Sequence, residues 1–249
     1  MCISVPAIKA DGLRKVFGSG RKATTAVDDL TLTCTSGEVF GLLGPNGAGK
    51  TTSLRMLSTV LSPTAGEAQV AGYDLKKDSQ GVRQSIGFLS GNTGLYPRLT
   101  AREVLRYFGE LFGMERHAIA SRIEELSVLL GMGDFLDRRC DKLSTGMQQK
   151  VNVARAVLHD PPVLIMDEPT AGLDVLASRT IVDFIRDCRS RGKCVIFSTH
   201  IMGEVGRLCD RLAILHEGKV RYEGDLDGFR EGYGDDIEEG FIALLEGSK

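Results

Sequence analysis

At 249 residues and 42% hydrophobic positions, the chain can bury on the order of three quarters of its unfolded surface, in a core that two subdomains can share. A formal net charge of -2, with no long basic run, excludes bulk electrostatic attraction to nucleic acid. No apolar run approaches the ~18 residues that a spanning helix needs and the N-terminus lacks the apolar core of a signal peptide, so a soluble, cytoplasmic protein is expected.

Residues 7–35 alternate in polarity around turns at Gly18-Ser19-Gly20 and Asp28-Asp29, which predicts an antiparallel hairpin layer with Arg14, Lys15, Arg21 and Lys22 flanking the first turn. The next run, 39–43, is short, continuous and apolar, as in a strand covered on both faces. It leads into Gly44, Pro45, Asn46, Gly47, Ala48, Gly49, Lys50, Thr51 and Thr52, and then into an amphipathic segment from Ser53 to Leu57. Strand, glycine-rich loop and helix together make a phosphate cradle: the glycines permit backbone angles that turn consecutive N–H groups toward an anion at the helix N-terminus. Lys50 is placed to reach β- and γ-phosphates and the Thr51 hydroxyl to ligate Mg²⁺. A turn whose glycines serve packing alone has no need of Lys and Thr directly after the last glycine, so nucleotide binding is expected.

From about 97 to 161 the periodicity is helical. Thr100-Ala101-Arg102-Glu103 is a capping box opening a helix with Val104, Leu105, Phe108, Leu111 and Phe112 on one side, closed by Gly113. A second helix carries Ile119, Ile123, Leu126, Leu129 and Leu130; a third runs from Met147 to about His159 before Pro161-Pro162 stops it. Phe108, Phe112 and Met132 are expected to pack, not to hold a ligand. The six cysteines (Cys2, Cys34, Cys140, Cys188, Cys194, Cys209) show no C-x-x-C spacing and the four histidines form no cluster, which predicts reduced thiols and no cysteine or histidine metal centre.

Runs 163–166, 195–197 and 212–215 predict further central strands. In an open α/β sheet the ligand lies beyond the carboxyl ends of the strands, so the polar clusters following 43, 166 and 197 should converge. Asp167 and Glu168 end one of these strands. Neighbours on a strand point to opposite sides, which predicts separate roles: Asp167 completing a Mg²⁺ shell, through water, and Glu168 facing the attacking water as general base or polariser.

Leu143-Ser144-Thr145-Gly146-Met147-Gln148-Gln149, at the start of a predicted helix, closely resembles the signature loop of ABC-transporter ATPases, whose consensus reads Leu-Ser-Gly-Gly-Gln. Ala171-Gly172-Leu173-Asp174 matches that family's D-loop, Ser198-Thr199-His200 its switch histidine, and Phe17 falls where it places an aromatic against adenine. The ordered series covers nearly the whole chain. It implies an ABC ATPase: an α/β P-loop NTPase core with a mainly parallel sheet, an antiparallel N-terminal β layer and an inserted helical subdomain. The corresponding division is 1–96 with 160–224 as catalytic core, 97–159 as helical subdomain and 225–249 as tail. Further implied are ATP and Mg²⁺ as ligands, and Lys50, Glu168 and His200 as catalytic groups. The resemblance also implies a head-to-tail homodimer in which Ser144 and the Gly146 amide contact the γ-phosphate held by the second ATPase subunit. The remaining implications are a separate membrane permease and a place on the cytoplasmic face of the membrane.

The sequence departs from the consensus at Thr145 and Met147, and at Gly91, where the family usually has a glutamine that contacts Mg²⁺ and the permease. The expectation is that Ser90, Asn92 or water supplies the missing oxygen and that Asn92 and the loop around Tyr96 carry coupling. Residues 89–96 resemble the NatA branch of sodium-extrusion ATPases, which serve ABC-2-type permeases, and this implies export. A soluble ABC-type ATPase of repair or translation is the alternative: residues 52–142 leave no room for long coiled coils, and only one phosphate loop and one signature are present. The acidic stretch after Gly224 predicts a loop and one short closing helix.

Overall fold

The computed structural model describes residues 6–91 and 94–247, Arg21 by its backbone alone. β1 (Pro6–Phe17) and β2 (Thr24–Thr35) form the expected antiparallel pair, with Ile8 opposite Cys34, Ala10 opposite Leu32 and Leu13 opposite Leu30, but β2 runs on through Asp28-Asp29, where a turn was expected and a register shift occurs instead. The layer gains two strands that the sequence reading did not separate, β4 (Ala65–Val70) and β5 (Tyr73–Asp74), in the order β2-β1-β4-β5.

The larger sheet holds β3 (Val39–Leu43), β6 (Ile86–Leu89), β7 (Val163–Asp167), β8 (Cys194–Thr199), β9 (Arg211–His216) and β10 (Lys219–Asp225). Its order is β10-β9-β3-β8-β7-β6, parallel throughout except for β10 at the edge. Every residue of β3, β7 and β8 is buried, which is why these segments read as continuous apolar runs. Alternation decides which core each side chain enters. Val39, Leu43, Leu164, Met166, Val195 and Phe197 join the helical side, whereas Phe40, Leu42, Ile165 and Ile196 meet the antiparallel layer and helix α1 (Lys50–Leu57).

After α2 (Ser79–Ser85) the chain enters the helical segment: α3 (Ala101–Leu111), α4 (Arg116–Leu130) and α5 (Thr145–Val157). The capping box at Thr100 forms in full, its hydroxyl accepting from the Glu103 amide at 3.2 Å and the Glu103 carboxylate accepting from the Thr100 amide at 2.8 Å. Arg102 ties α3 to its neighbours through Asp137 at 2.7 Å and Glu124 at 2.5 Å. The apolar faces of these helices do not close on a core of their own; Val104, Leu105, Ile119, Ile123 and Val151 join the same cluster as Leu164 and Phe197.

α6 (Val175–Ser190) and α7 (Met202–Leu208) complete the cover of the sheet. The chain after Gly224 corrects the expected loop and single helix: it forms two helices, α8 (Leu226–Tyr233) and α9 (Ile237–Glu246). Two of the acids that suggested a solvated loop are N-caps, Asp225 accepting from the Gly228 amide and Asp236 from those of Glu238 and Glu239. Phe229 is fully buried in the main core, stacked on Tyr233 with ring centroids 5.0 Å apart and set edge-on to Tyr222. Phe229→Ala is therefore expected to cost about 3–5 kcal/mol in chemical denaturation. A loss below about 1 kcal/mol would detach the tail from the core.

Candidate nucleotide site

Three strand ends meet as expected. β3 ends at Leu43 and the chain turns through Gly44, whose φ is +153° and where a Cβ would lie 2.3 Å from the Leu215 carbonyl oxygen. Gly49, at φ +108°, approaches the Ala26 carbonyl as closely, with a Cβ placed 2.5 Å from it. No L side chain fits either position, so the glycines bring the loop against β9 and β2. α1 begins at Lys50 with Gly49 as N-cap and no side-chain cap, which leaves its first amides free to face an anion. The loop from Asn46 to Thr52 lines a cleft of about 170 Å³, with Glu168 on its far wall.

Lys50 is 6% exposed and its ammonium donates to the carbonyl oxygens of Gly44 at 2.5 Å and Pro45 at 3.1 Å. Burial lowers its pKa from the ordinary lysine value, opposed by the carboxylates of Glu168 and Asp167. The ammonium thus lies folded across the loop within the field of the two acids.

The Thr51 hydroxyl donates to Asp167 Oδ1 at 3.0 Å and the Ser198 hydroxyl donates to the same oxygen at 2.7 Å. Ser198 also fixes the next residue: its Oγ accepts from the Glu168 amide at 3.0 Å and its carbonyl lies 3.2 Å from that amide. Glu168 is outside the strand, at φ +47°, so strand alternation is not what separates it from Asp167. A left-handed residue held by Ser198 turns the chain and aims the carboxylate elsewhere. Its Oε1 lies 3.2 Å from His200 Nδ1.

Phe17, 42% exposed, ends β1 with the Lys15 ammonium 5.2 Å over its ring, in the layer whose Ala26 abuts Gly49. Ser144 caps α5 by accepting from the Met147 amide at 3.3 Å. Gly146 lets α5 approach α6, since a Cβ there would lie 2.9 Å from that of Ala177. Neither residue lines the phosphate-loop cleft. The D-loop aspartate, Asp174, caps α6 by accepting from the Ala177 amide at 2.9 Å. Gly91 adjoins the strand end, where a Cβ would make ordinary contact, 3.6 Å from the Asp167 carbonyl oxygen. Asn92 lies outside the described residues.

Sequence reasoning missed Ser198 as the clamp on both acids, although it had marked the residue as part of the switch. It also missed Gln149, whose amide donates to the Pro169 carbonyl at 2.7 Å and ties the signature helix to the segment after Glu168. A second groove, of about 660 Å³, runs between β6 and the helical segment and is lined by Val60, Arg83, Phe88, Leu111, Phe112 and Arg155, among others. Met132 packs in the core as expected; Phe112 packs by its ring yet, like Leu111, is partly exposed on this groove. His159 stacks on Phe112 at 3.7 Å, and burial pushes its pKa down to about 4, so the ring is neutral near pH 7.

The family model described as ABC transporter matches residues 27–171. The ABC transporter ATP-binding protein NatA of Bacillus subtilis is 48% identical over 216 residues, 86% of this chain and 88% of that protein. The Nod factor export ATP-binding protein I of Paraburkholderia xenovorans is 40% identical over 218 residues, 88% and 70% of the respective lengths. A solved ATP-binding subunit of an ABC transporter superposes with a TM-score of 0.86 at 29% identity, covering 96% of this chain and 99% of that one. A dimeric cassette in a post-hydrolysis state with ADP and Pi gives 0.80 at 26% identity, over 88% and 98%. With its phosphate loop, paired acids and two-sheet architecture, the chain belongs to the ATP-binding subunits of ABC transporters and is an ATPase of that family.

Proposed function

We propose that this ATPase drives export through an ABC-2-type membrane permease, with Glu168 as general base and Asp167 and Thr51 as the metal-holding pair. The observation that carries the catalytic reading is the chain Thr51–Asp167–Ser198–Glu168–His200 at the mouth of the phosphate loop. Thr51 and Asp167 fit Mg²⁺: two hard oxygens 3.0 Å apart suit a cation that takes few protein ligands and completes its shell with phosphate and water. When bound, Mg²⁺ would supply neutralisation of the phosphate charge. Lys50 leaves its two carbonyl acceptors to meet the same phosphates, and the α1 amides hold them. Phe17 offers a face to the adenine. Glu168 accepts a proton from the attacking water, with His200 beside it as the group that orients carboxylate and γ-phosphate. Ser144 and Gly146, remote from this cleft, serve the site of a second copy.

Among the described residues no helix is long and apolar enough to cross a membrane, so contact with the bilayer runs through the permease, on its cytoplasmic face. The groove between β6 and the helical segment 97–159 suits that contact. Leu111 is 62% and Val60 58% exposed, and Arg83 and Arg155 line the groove with no acidic residue among the described residues of its walls. An amphipathic permease segment bearing a carboxylate matches this apolar and cationic lining. Export is the direction named by the Nod factor relative. Sodium as cargo rests on the resemblance to NatA.

The groove gives a direct test. Leu111→Glu, at an exposed position, is expected to leave the ATPase of the isolated protein within about twofold of wild type while stimulation by the co-purified permease falls at least about tenfold, or 1.4 kcal/mol of coupling. Equal changes in both rates would remove the groove as the docking surface, and identification of the co-purified membrane protein tests the permease class.

A further inference from the structure

β8 ends in Ser198 and Thr199, His200 follows directly, and the three polar residues have three different jobs. Ser198 holds Asp167 and the Glu168 amide, and His200 touches Glu168. Thr199, between them, is 2% exposed. Its hydroxyl donates to Glu204 Oε2 at 3.1 Å and accepts from the Ile201 amide at 3.0 Å. Glu204 is 7% exposed and lines a groove with Arg179, Arg186 and Arg207, yet it is in an ion pair with none of the described residues. A carboxylate largely withdrawn from water and not directly paired is costly unless its hydrogen bond secures something.

What it secures is the corner that carries His200. Ile201 is the N-cap of α7 and has no side-chain cap, while Glu204 is the third helical residue. In a capping box a carboxylate at that position takes the N-cap amide directly. Here the Thr199 hydroxyl is inserted between the two, so one relay, amide to hydroxyl to carboxylate, spans the backbone on both sides of His200. The His200 side chain is 54% exposed and so lacks a packed wall to fix it. Its direction toward Glu168 is set by the backbone that the relay pins.

We propose that Thr199 and Glu204 are positioning residues for His200, which rests on the reading of His200 as the group facing Glu168 and the γ-phosphate. Neither touches nucleotide; they act by holding the switch histidine where hydrolysis needs it. A misplacement of about 1 Å suffices for a large loss of rate.

The test is a double-mutant cycle in steady-state ATP hydrolysis. Thr199→Val keeps the shape and removes the hydroxyl; it is expected to lower kcat about 10- to 100-fold with KM for ATP within about twofold, and Glu204→Ala to do the same. Thr199→Ser and Glu204→Gln, which retain donor and acceptor, are expected to stay within a few-fold of wild type. In a His200→Ala background Thr199→Val should cause no further loss, because its effect passes through the missing ring. Wild-type turnover in Thr199→Val, or a full repeat of its loss on top of His200→Ala, overturns the proposal. If His200→Ala itself turns over at the wild-type rate, the role given to His200 falls instead. Should Glu204→Ala fail to fold, the near-isosteric Thr199→Val carries the cycle alone.

Discussion

Glu168→Gln is expected to bind ATP with wild-type affinity to within about twofold and to lose on the order of 100- to 10,000-fold in turnover, the range general-base removal produces. The prediction follows from how the residue is held. Its amide is fixed by Ser198 and its φ is +47°, so the backbone, not the carboxylate charge, sets where the side chain points. Glutamine has the same shape and still offers an oxygen toward His200, yet it cannot take a proton from water. With Thr51 and Asp167, not Glu168, as the proposed metal-holding pair, the variant cleft should still accept MgATP. Equilibrium nucleotide binding beside single-turnover hydrolysis checks both halves. Wild-type turnover would remove Glu168 from the base role. A parallel loss of binding would show that its charge serves the ligand, not the water.

The sequence made the parallel core legible because burial on both faces leaves a strand no polar positions: residues 39–43 and 163–166 could hardly be anything else. Thr100 and Glu103 gave the start of α3, since a capping box is local chemistry, and α3 ends where Gly113 stops the pattern. β4, β5 and β10 escaped because strands with one face open to solvent expose alternate residues and look like loops, as the largely exposed and half-buried positions of β4 and β10 do. The tail misled for a related reason. Asp225 and Asp236 are acids in the sequence and helix caps in the fold, and composition alone does not distinguish the two.

In the site, the residues with special chemistry were legible and their fastenings were not. Lys50, Thr51, Asp167 and Glu168 stand out as candidates by type and spacing, whereas His200 stands out only through its place in the family series. That Ser198 would clamp both acids needed the register of β8 beside β7, which pairs Asp167 with Ser198 and is a property of the sheet. Glu168 shows the limit most clearly: two adjacent acids suggested alternation on a strand, whereas a left-handed turn performs the separation.

The second large effect concerns Ser144, which stands outside the phosphate-loop cleft. If the chain pairs head to tail with a second copy, each nucleotide is held by the loop of one subunit and the signature of the other. Lys50→Ala then destroys a site in cis and Ser144→Arg destroys one in trans, and each homodimer should lose on the order of 100-fold or more in ATPase activity. In a mixed dimer both lesions fall on the same composite site, which leaves the other intact. With random assortment about half of the dimers are mixed and each keeps one site of two, so an equimolar mixture should recover about a quarter of wild-type activity. Folding is not the concern. Loss of the Ser144 cap, a single 3.3 Å bond from the Met147 amide, costs only about 1 kcal/mol at the start of α5. Partner exchange is followed independently with differently labelled subunits. If mixed dimers form and activity stays at the level of the single variants, two intact sites are required together or the sites are not shared; a mixture of linked wild-type and doubly mutated subunits then separates these cases, because it leaves no intact composite site in a shared arrangement and one intact site in a self-contained one.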